Sequence, residues 1–232
     1  GGINNGIHEL WAQQKLAMVT NVGTLVAPMT KAQYQNNSVP KPYQLFSHSD
    51  QVAQSQTSVS STQAFTGWGG RVADRMNQPN NPNGLIPMIT SIAGAQLFTA
   101  GQTTLPMAIA DANTSLANVL NPAGFNTTAA SVARRNAMNQ LRTIDLDNNY
   151  LAAASHVTDL AMQANDALQT FQEVTVTFPN TSIGRQLRQI ARLIKKRTDL
   201  NVNRQVFYCQ IGSFDTHNNQ VNTHTNLLSQ FS

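Results

Sequence analysis

Apolar residues recur along this chain in two rhythms. Ile3, Ile7, Leu10 and Trp11 share one face of a helix over Ile3 to Gln14. Lys15 to Val22 is instead a short apolar run closing on Gly23, which predicts a buried strand. Pro28, Pro40 and Pro42 punctuate Ala27 to Tyr43 and predict a loop. Ser47 or Ser49 suits the N-cap of the next helix, with Asp50 in its first turn, where the helix dipole favours a carboxylate. Gln54 to Gln63, rich in Gln, Ser and Thr, reads as the weakly ordered end of that helix. Gly67-Trp-Gly-Gly70 opens a helical segment over Arg71 to Met76, and Asn77 to Gly84 reads as a Pro/Asn loop. Leu85 to Ile92 has the apolar run of a buried strand, while Gly101 to Asn113 is mixed.

The rhythm turns helical from Thr128 to about Phe171, carried by Leu141, Ile144, Leu151, Val157, Leu160 and Leu168. Asp145 to Asn149 predicts a break within it. Ile183, Leu187, Ile190 and Ile194 define one face of a further helix. Arg185, Arg188, Arg192, Lys195 and Lys196 decorate its other side and read as a solvated basic face. Arg204 to Ile211 is a second apolar run, closing on Gly212, and a helix follows His217.

This order predicts an α/β fold, a three-layer α/β/α domain with an incomplete sheet and a helical insertion. Residues 1–84 and 182–232 form the α/β part, and 85–181 the mainly helical insertion. Lys15 to Val22 and Arg204 to Ile211 are expected as parallel strands of one sheet, ending on the same edge. Two or three strands do not complete such a sheet. The chain opens on Gly1 rather than Met, and Asn226 to Ser232 reads as a helix cut part-way. Both ends therefore read as interruptions. Unpaired sheet edges would make the segment depend on missing chain segments or on an oligomeric assembly.

Composition narrows the function. Of 232 residues, 41% are hydrophobic, enough for a core, but only 11% are charged, against roughly a quarter in ordinary domains. Asn, Gln, Ser and Thr take their place, as on an exported protein. The net charge of +4 comes without a Lys/Arg cluster interleaved with aromatics, which argues against nucleic acid as a partner. Cys209 is the sole cysteine and lies in an apolar run, so it reads as a small buried hydrophobe. No apolar run reaches the roughly 18 residues of a membrane span.

The candidate chemistry gathers at two places. Asp215 and His217 follow the second apolar run, and open α/β sheets bind ligands beyond the carboxyl ends of their strands. Carboxylate and imidazole are donors that zinc, iron and manganese accept. His224 lies seven residues after His217, nearly on the same helical face, and is a further candidate metal ligand. Ser47 and His48 are the candidate catalytic pair, because a serine at a helix N-terminus meets the positive end of the dipole, which also attracts an anionic substrate. Plainer roles stand beside these. Ser47, His48 and Asp50 also fit a cap and first turn, Asp215-Thr-His217 a strand-to-helix turn, and His224, His8 and His156 the surface. Gly67-Trp-Gly-Gly-Arg71 reads as a packing turn, since it lacks the Lys-Ser/Thr ending of a phosphate loop.

Four segments together resemble a bacterial family, domain of unknown function 1501. They are Lys15-Leu-Ala-Met-Val-Thr-Asn-Val-Gly23, Gln44-Leu-Phe-Ser-His-Ser-Asp-Gln51, Thr66-Gly-Trp-Gly-Gly-Arg-Val-Ala-Asp74, and Arg204 through Gln220. The resemblance runs from about Ile7 to Ser232. It implies membership of the alkaline phosphatase and sulfatase superfamily, twin-arginine export, and a periplasmic or extracellular location. It also implies metal-dependent hydrolysis of a small anionic phosphate or sulfate ester, with divalent ions such as zinc as cofactors. A Gly-Gly-x-Asp motif is expected upstream of Gly1, and Ser-x-Phe-Gly-Arg and Asp-His-Gly-Trp motifs downstream of Ser232. The alternative is a non-catalytic envelope or surface protein that retains the fold.

Overall fold

A computed structural model describes residues 6–19, 23–120 and 126–231. Its centre is a small parallel sheet. Strand β1 (Ile89–Ser91) lies between β2 (Met107–Ala108) and β3 (Val206–Tyr208). Ile89, Thr90 and Ser91 stand opposite Val206, Phe207 and Tyr208, while Thr90 and Ser91 also stand opposite Met107 and Ala108. Every residue of β1 is buried. That burial accounts for the largely apolar segment from Leu85 to Ile92, broken only by Thr90 and Ser91, because a central parallel strand is covered on both faces.

Eight α-helices occur among the described residues: α1 (Ile7–Ala12), α2 (Lys31–Asn36), α3 (His48–Thr57), α4 (Trp68–Asn80), α5 (Ala129–Leu141), α6 (Asn149–Leu168), α7 (Ser182–Lys195) and α8 (Gln220–Phe231). Successive strand residues point to opposite faces. Phe207 and Cys209 pack into a cluster with Ile92, Met107, Leu168 and Leu193. Val206 and Tyr208 pack against Ala73, Ile89 and Phe98. Helices α6 and α7 thus cover one face of the sheet, and α4 with the turn at Leu97–Thr99 covers the other.

The Thr66 to Asp74 segment shows how closely the second face is packed. A Cβ on Gly67 would lie 2.1 Å from the Leu97 carbonyl oxygen, and one on Gly70 would lie 2.2 Å from Ala100. Trp68 meets Phe98 edge-on at 4.6 Å. Asp74 accepts backbone N–H bonds from Gln102, Thr103 and Thr104 at 2.7, 3.1 and 2.7 Å. Burial opposes ionisation there, yet these donors hold the Asp74 carboxyl well below its usual range. The glycines serve close packing, as the packing-turn reading expects.

Other elements depart from the sequence reading. The expected strand at Lys15 to Val22 is irregular over 15–19, with Met18 and Val19 70% and 80% exposed, and residues 20–22 lie outside the described set. The partners on both sides of β1 are β2 and β3, and α1 before it buries no residue to seat that run. Ile3, at the start of the expected first helix, is also outside the described residues. The predicted loop at Ala27 to Tyr43 contains α2, started by a reciprocal cap between Thr30 and Gln33. Gln54, Gln56 and Thr57 are buried rather than loosely ordered. Helix α4 runs on to Asn80, through Pro79 in its last turn. Two strands, β1 and β2, come from the 85–181 stretch expected to be mainly helical.

The break at Asp145 to Asn149 is present, and it separates α5 from α6. On α7, Ile183 and Ile190 are buried, but Leu193 takes the core position and Ile194 is 44% exposed. The basic side of α7 is not simply solvated. Arg192 and Lys196 are 5% and 6% exposed, and Arg192 grips Glu173 through Nε at 3.1 Å and Nη2 at 2.6 Å. Glu173 arrives from the segment after α6 and supplies the countercharge that a buried guanidinium needs.

Candidate functional site

The site forms where α3 begins and where the chain leaves β3. Ser47 caps α3, its Oγ accepting from the Asp50 amide at 3.4 Å. Its hydroxyl also lies 3.1 Å from Ser49 Oγ. Farther along α3, Gln56 points inward and anchors the helix. Its Nε2 donates to Gln96 Oε1 at 2.9 Å and to the Tyr208 hydroxyl at 3.2 Å, while its Oε1 accepts from the Phe98 amide at 2.9 Å. Tyr208 is the last residue of β3, so this bond ties α3 to the strand end.

Beyond β3, Gln210 is locked to α7. Its amide donates to Gln186 Oε1 at 2.9 Å, and Gln186 Nε2 donates to the Gln210 carbonyl at 3.0 Å. Two amide hydrogen bonds fix the direction in which the chain departs. Ser213 and Asn219 adopt φ of 70° and 48°, and between them the chain carries Asp215 and His217 before α8 starts. Burial pushes the Tyr208 phenol and the Cys209 thiol above their ordinary values. Cys209 is half-buried against the α6–α7 cluster, consistent with a packing role.

These two constructions bring the expected loops together. His48 Nδ1 lies 3.4 Å from Asp215 Oδ2, and His217 Nε2 lies 3.8 Å from the same oxygen. His224 has another partner: its Nε2 is 2.8 Å from the Phe214 carbonyl, and its ring lies 5.4 Å from that of Phe214. A carbonyl only accepts, so this nitrogen carries the proton and braces α8 against the 214–215 backbone. His8 and His156 are exposed, as read from the sequence.

A shared cation suits the two pairs but not the trio. Ligand nitrogens and oxygens at about 2.0–2.2 Å from one tetrahedral ion stand roughly 3.3–3.6 Å apart, close to the separations at Asp215. Among the described residues, however, no group of three or more His, Cys, Asp or Glu side chains is arranged to hold a metal ion. The side chains of His48, Asp215 and His217 are 75%, 66% and 86% exposed. An ion pair this open to water contributes under about 1 kcal/mol, so α3 and β3 hold the residues together rather than the reverse.

Gln56, Tyr208 and Gln186 escaped the sequence reading. The signal open to inspection was slight: Gln186 lies three residues from Ile183 and four from Ile190, on the apolar side of α7. Among the described residues no helix is long and apolar enough to cross a membrane. Comparison with protein-family models, with curated proteins and with solved structures finds no match to this chain.

Proposed function

We propose that the Ser47–His48 and Asp215–His217 loops form the working site of a metal-dependent hydrolase-like protein acting on phosphate or sulfate esters. The supporting observation is the 3.4 Å contact between His48 and Asp215, which joins segments from opposite ends of the chain at the carboxyl side of the sheet. Asp215 orients the His48 ring through Nδ1 and leaves Nε2 to accept or return a proton. Ser47 Oγ, at the start of α3, is placed as a nucleophile or as an anion contact where the helix dipole favours negative charge. A divalent ion such as zinc, taken by Asp215 and His217, would supply positive charge to the ester oxygens. The wider reading, an exported periplasmic or extracellular protein with an alkaline-phosphatase-like fold, draws on the weakly charged composition and the four resembling segments.

Hydrolysis of 4-nitrophenyl phosphate and 4-nitrophenyl sulfate, measured with bound metal across added zinc and manganese, tests this reading. Asp215→Ala is expected to lower bound metal and turnover together. Retention of both in that variant would leave Asp215 a structural cap. A second reading, a non-catalytic envelope or surface protein, is favoured by the openness of the site, since enzyme sites are usually concave and enclosed. It predicts no turnover by the unaltered chain with either metal.

A further inference from the structure

A second candidate site lies on the edge of the sheet farthest in order from β3. Helix α6 faces β2 with Ala161 and Ala164, and their short side chains leave a gap of about 160 Å³. Its lining is apolar, with Met107 and Leu120 behind and Val157 at the mouth. Pro87, Leu105 and Leu160 also line an adjoining cavity of about 200 Å³. That second lobe is mixed: Asn77, Asn81, Thr103, Thr104 and His156 share its walls with aliphatic side chains. His156 and Leu160 lie one helical turn apart, so α6 runs past both lobes. From His156 to Ala164 it spans about 12 Å.

The two lobes impose different requirements. An enclosed aliphatic cavity of about 150 Å³ takes a benzene-sized group; this gap has a similar volume but is open at its rim. Leu105 and Val157 remain 45% and 50% exposed at the rim, apolar surface that such a group would cover. In the mixed lobe, Asn81 is 5% exposed and spends its amide N–H on Asn77 Oδ1 and the Ile86 carbonyl. Its own carbonyl oxygen is buried without a hydrogen-bond partner. A buried acceptor left unmatched costs free energy that a donor restores. Thr103 and Thr104 already donate to the Asp74 carboxylate, whose negative charge disfavours an anion beside them.

We infer that this groove binds an uncharged amphiphile of aryl-alcohol size, with its ring between β2 and α6 and its hydroxyl among Asn77, Asn81 and His156. The proposal is independent of the ester-hydrolase reading. The hydroxyl supplies the donor that the unpartnered Asn81 Oδ1 lacks.

Titration of the whole chain with 4-methylphenol, toluene and 4-methylbenzoate, by calorimetry or NMR shifts, tests the site. Saturable binding of 4-methylphenol tighter than about 1 mM is expected, with 4-methylbenzoate at least roughly tenfold weaker because of its charge. Ala161→Phe, at an exposed helix position, fills the apolar lobe and should weaken 4-methylphenol roughly tenfold or more while leaving the circular dichroism unchanged. Leu105→Ser alters the opposite wall and should weaken binding independently of any change in α6. His156→Ala should narrow the preference for 4-methylphenol over toluene. Non-saturable uptake of 4-methylphenol, equal or tighter binding of 4-methylbenzoate, or unchanged affinity in both wall variants would overturn the proposal.

Discussion

Gln56 is where stability and site geometry meet, and Gln56→Ala is the most informative perturbation. The side chain is 7% exposed and makes three hydrogen bonds, two to the turn at Gln96–Phe98 and one to the end of β3. Each such bond contributes about 0.5–1.5 kcal/mol net, and a buried donor left without a partner costs about 1–3 kcal/mol. Truncation removes all three and strands the amide of Phe98, which is itself buried. The expected loss is about 3–4 kcal/mol, or roughly 6–16 °C in Tm for a chain of this length. Tyr208→Phe removes one of the three bonds, together with the hydroxyl's own bond to Gln210 Oε1, and should cost about 1–2 kcal/mol. Urea unfolding of wild type, both single variants and the double variant measures these values and the coupling between the two residues. Loss of this anchor also frees α3 from the end of β3, so the NMR shifts of His48 and Asp215 should move in Gln56→Ala. A loss below about 1 kcal/mol with unmoved His48 and Asp215 signals would refute the claim that Gln56 holds the two loops together.

Glu173 is held at about 2 instead of 4.5, mainly by hydrogen bonds from Arg192 and against the opposing effect of burial. The folded state therefore takes up this proton less readily than the unfolded chain. Its stabilisation is full above about pH 4.5 and disappears as pH falls toward 2. Because the side chain is 44% exposed, screening reduces the effect to about 1–2 kcal/mol; Glu173→Gln should flatten that part of the acid-unfolding curve, and identical curves would contradict the assignment. Gly70→Ala places a Cβ against Ala100 and should destabilise by about 1–3 kcal/mol through overpacking. Gly84→Ala meets open space and should cost only the left-handed backbone penalty of about 1–2 kcal/mol at φ 58°; thermal melts of both check the contrast. His48→Ala and Asp215→Asn should leave Tm nearly unchanged, because both side chains are mostly in water; a large drop in either melt would show a structural role for the pair.

Local chemistry along the chain was enough to place much of the helix and strand pattern. Ser47 announces α3 because its hydroxyl satisfies an amide within its own first turn. The largely apolar run at Leu85 to Ile92 marks a strand covered on both sides, and the mostly polar stretch at Asp145 to Asn149 marks the break between α5 and α6. Ser47-His48 and Asp215-Thr-His217 stood out by residue type, and their convergence followed from placing both loops at one sheet edge. Pairing could not be read in the same way. The run at Lys15 to Val19 has a strand's composition, yet a strand also needs a neighbour for its backbone, and the positions beside β1 belong to segments far along the chain. Burial of polar groups was equally hidden. Gln56, Gln186 and Arg192 look like surface residues until Tyr208, Gln210 and Glu173 arrive from elsewhere to meet them. Helix caps and apolar periods act within a few residues, so sequence alone determined them. Strand neighbours, buried hydrogen-bond partners and the groove beside α6 depend on contacts between distant segments, and only the tertiary structure decided them.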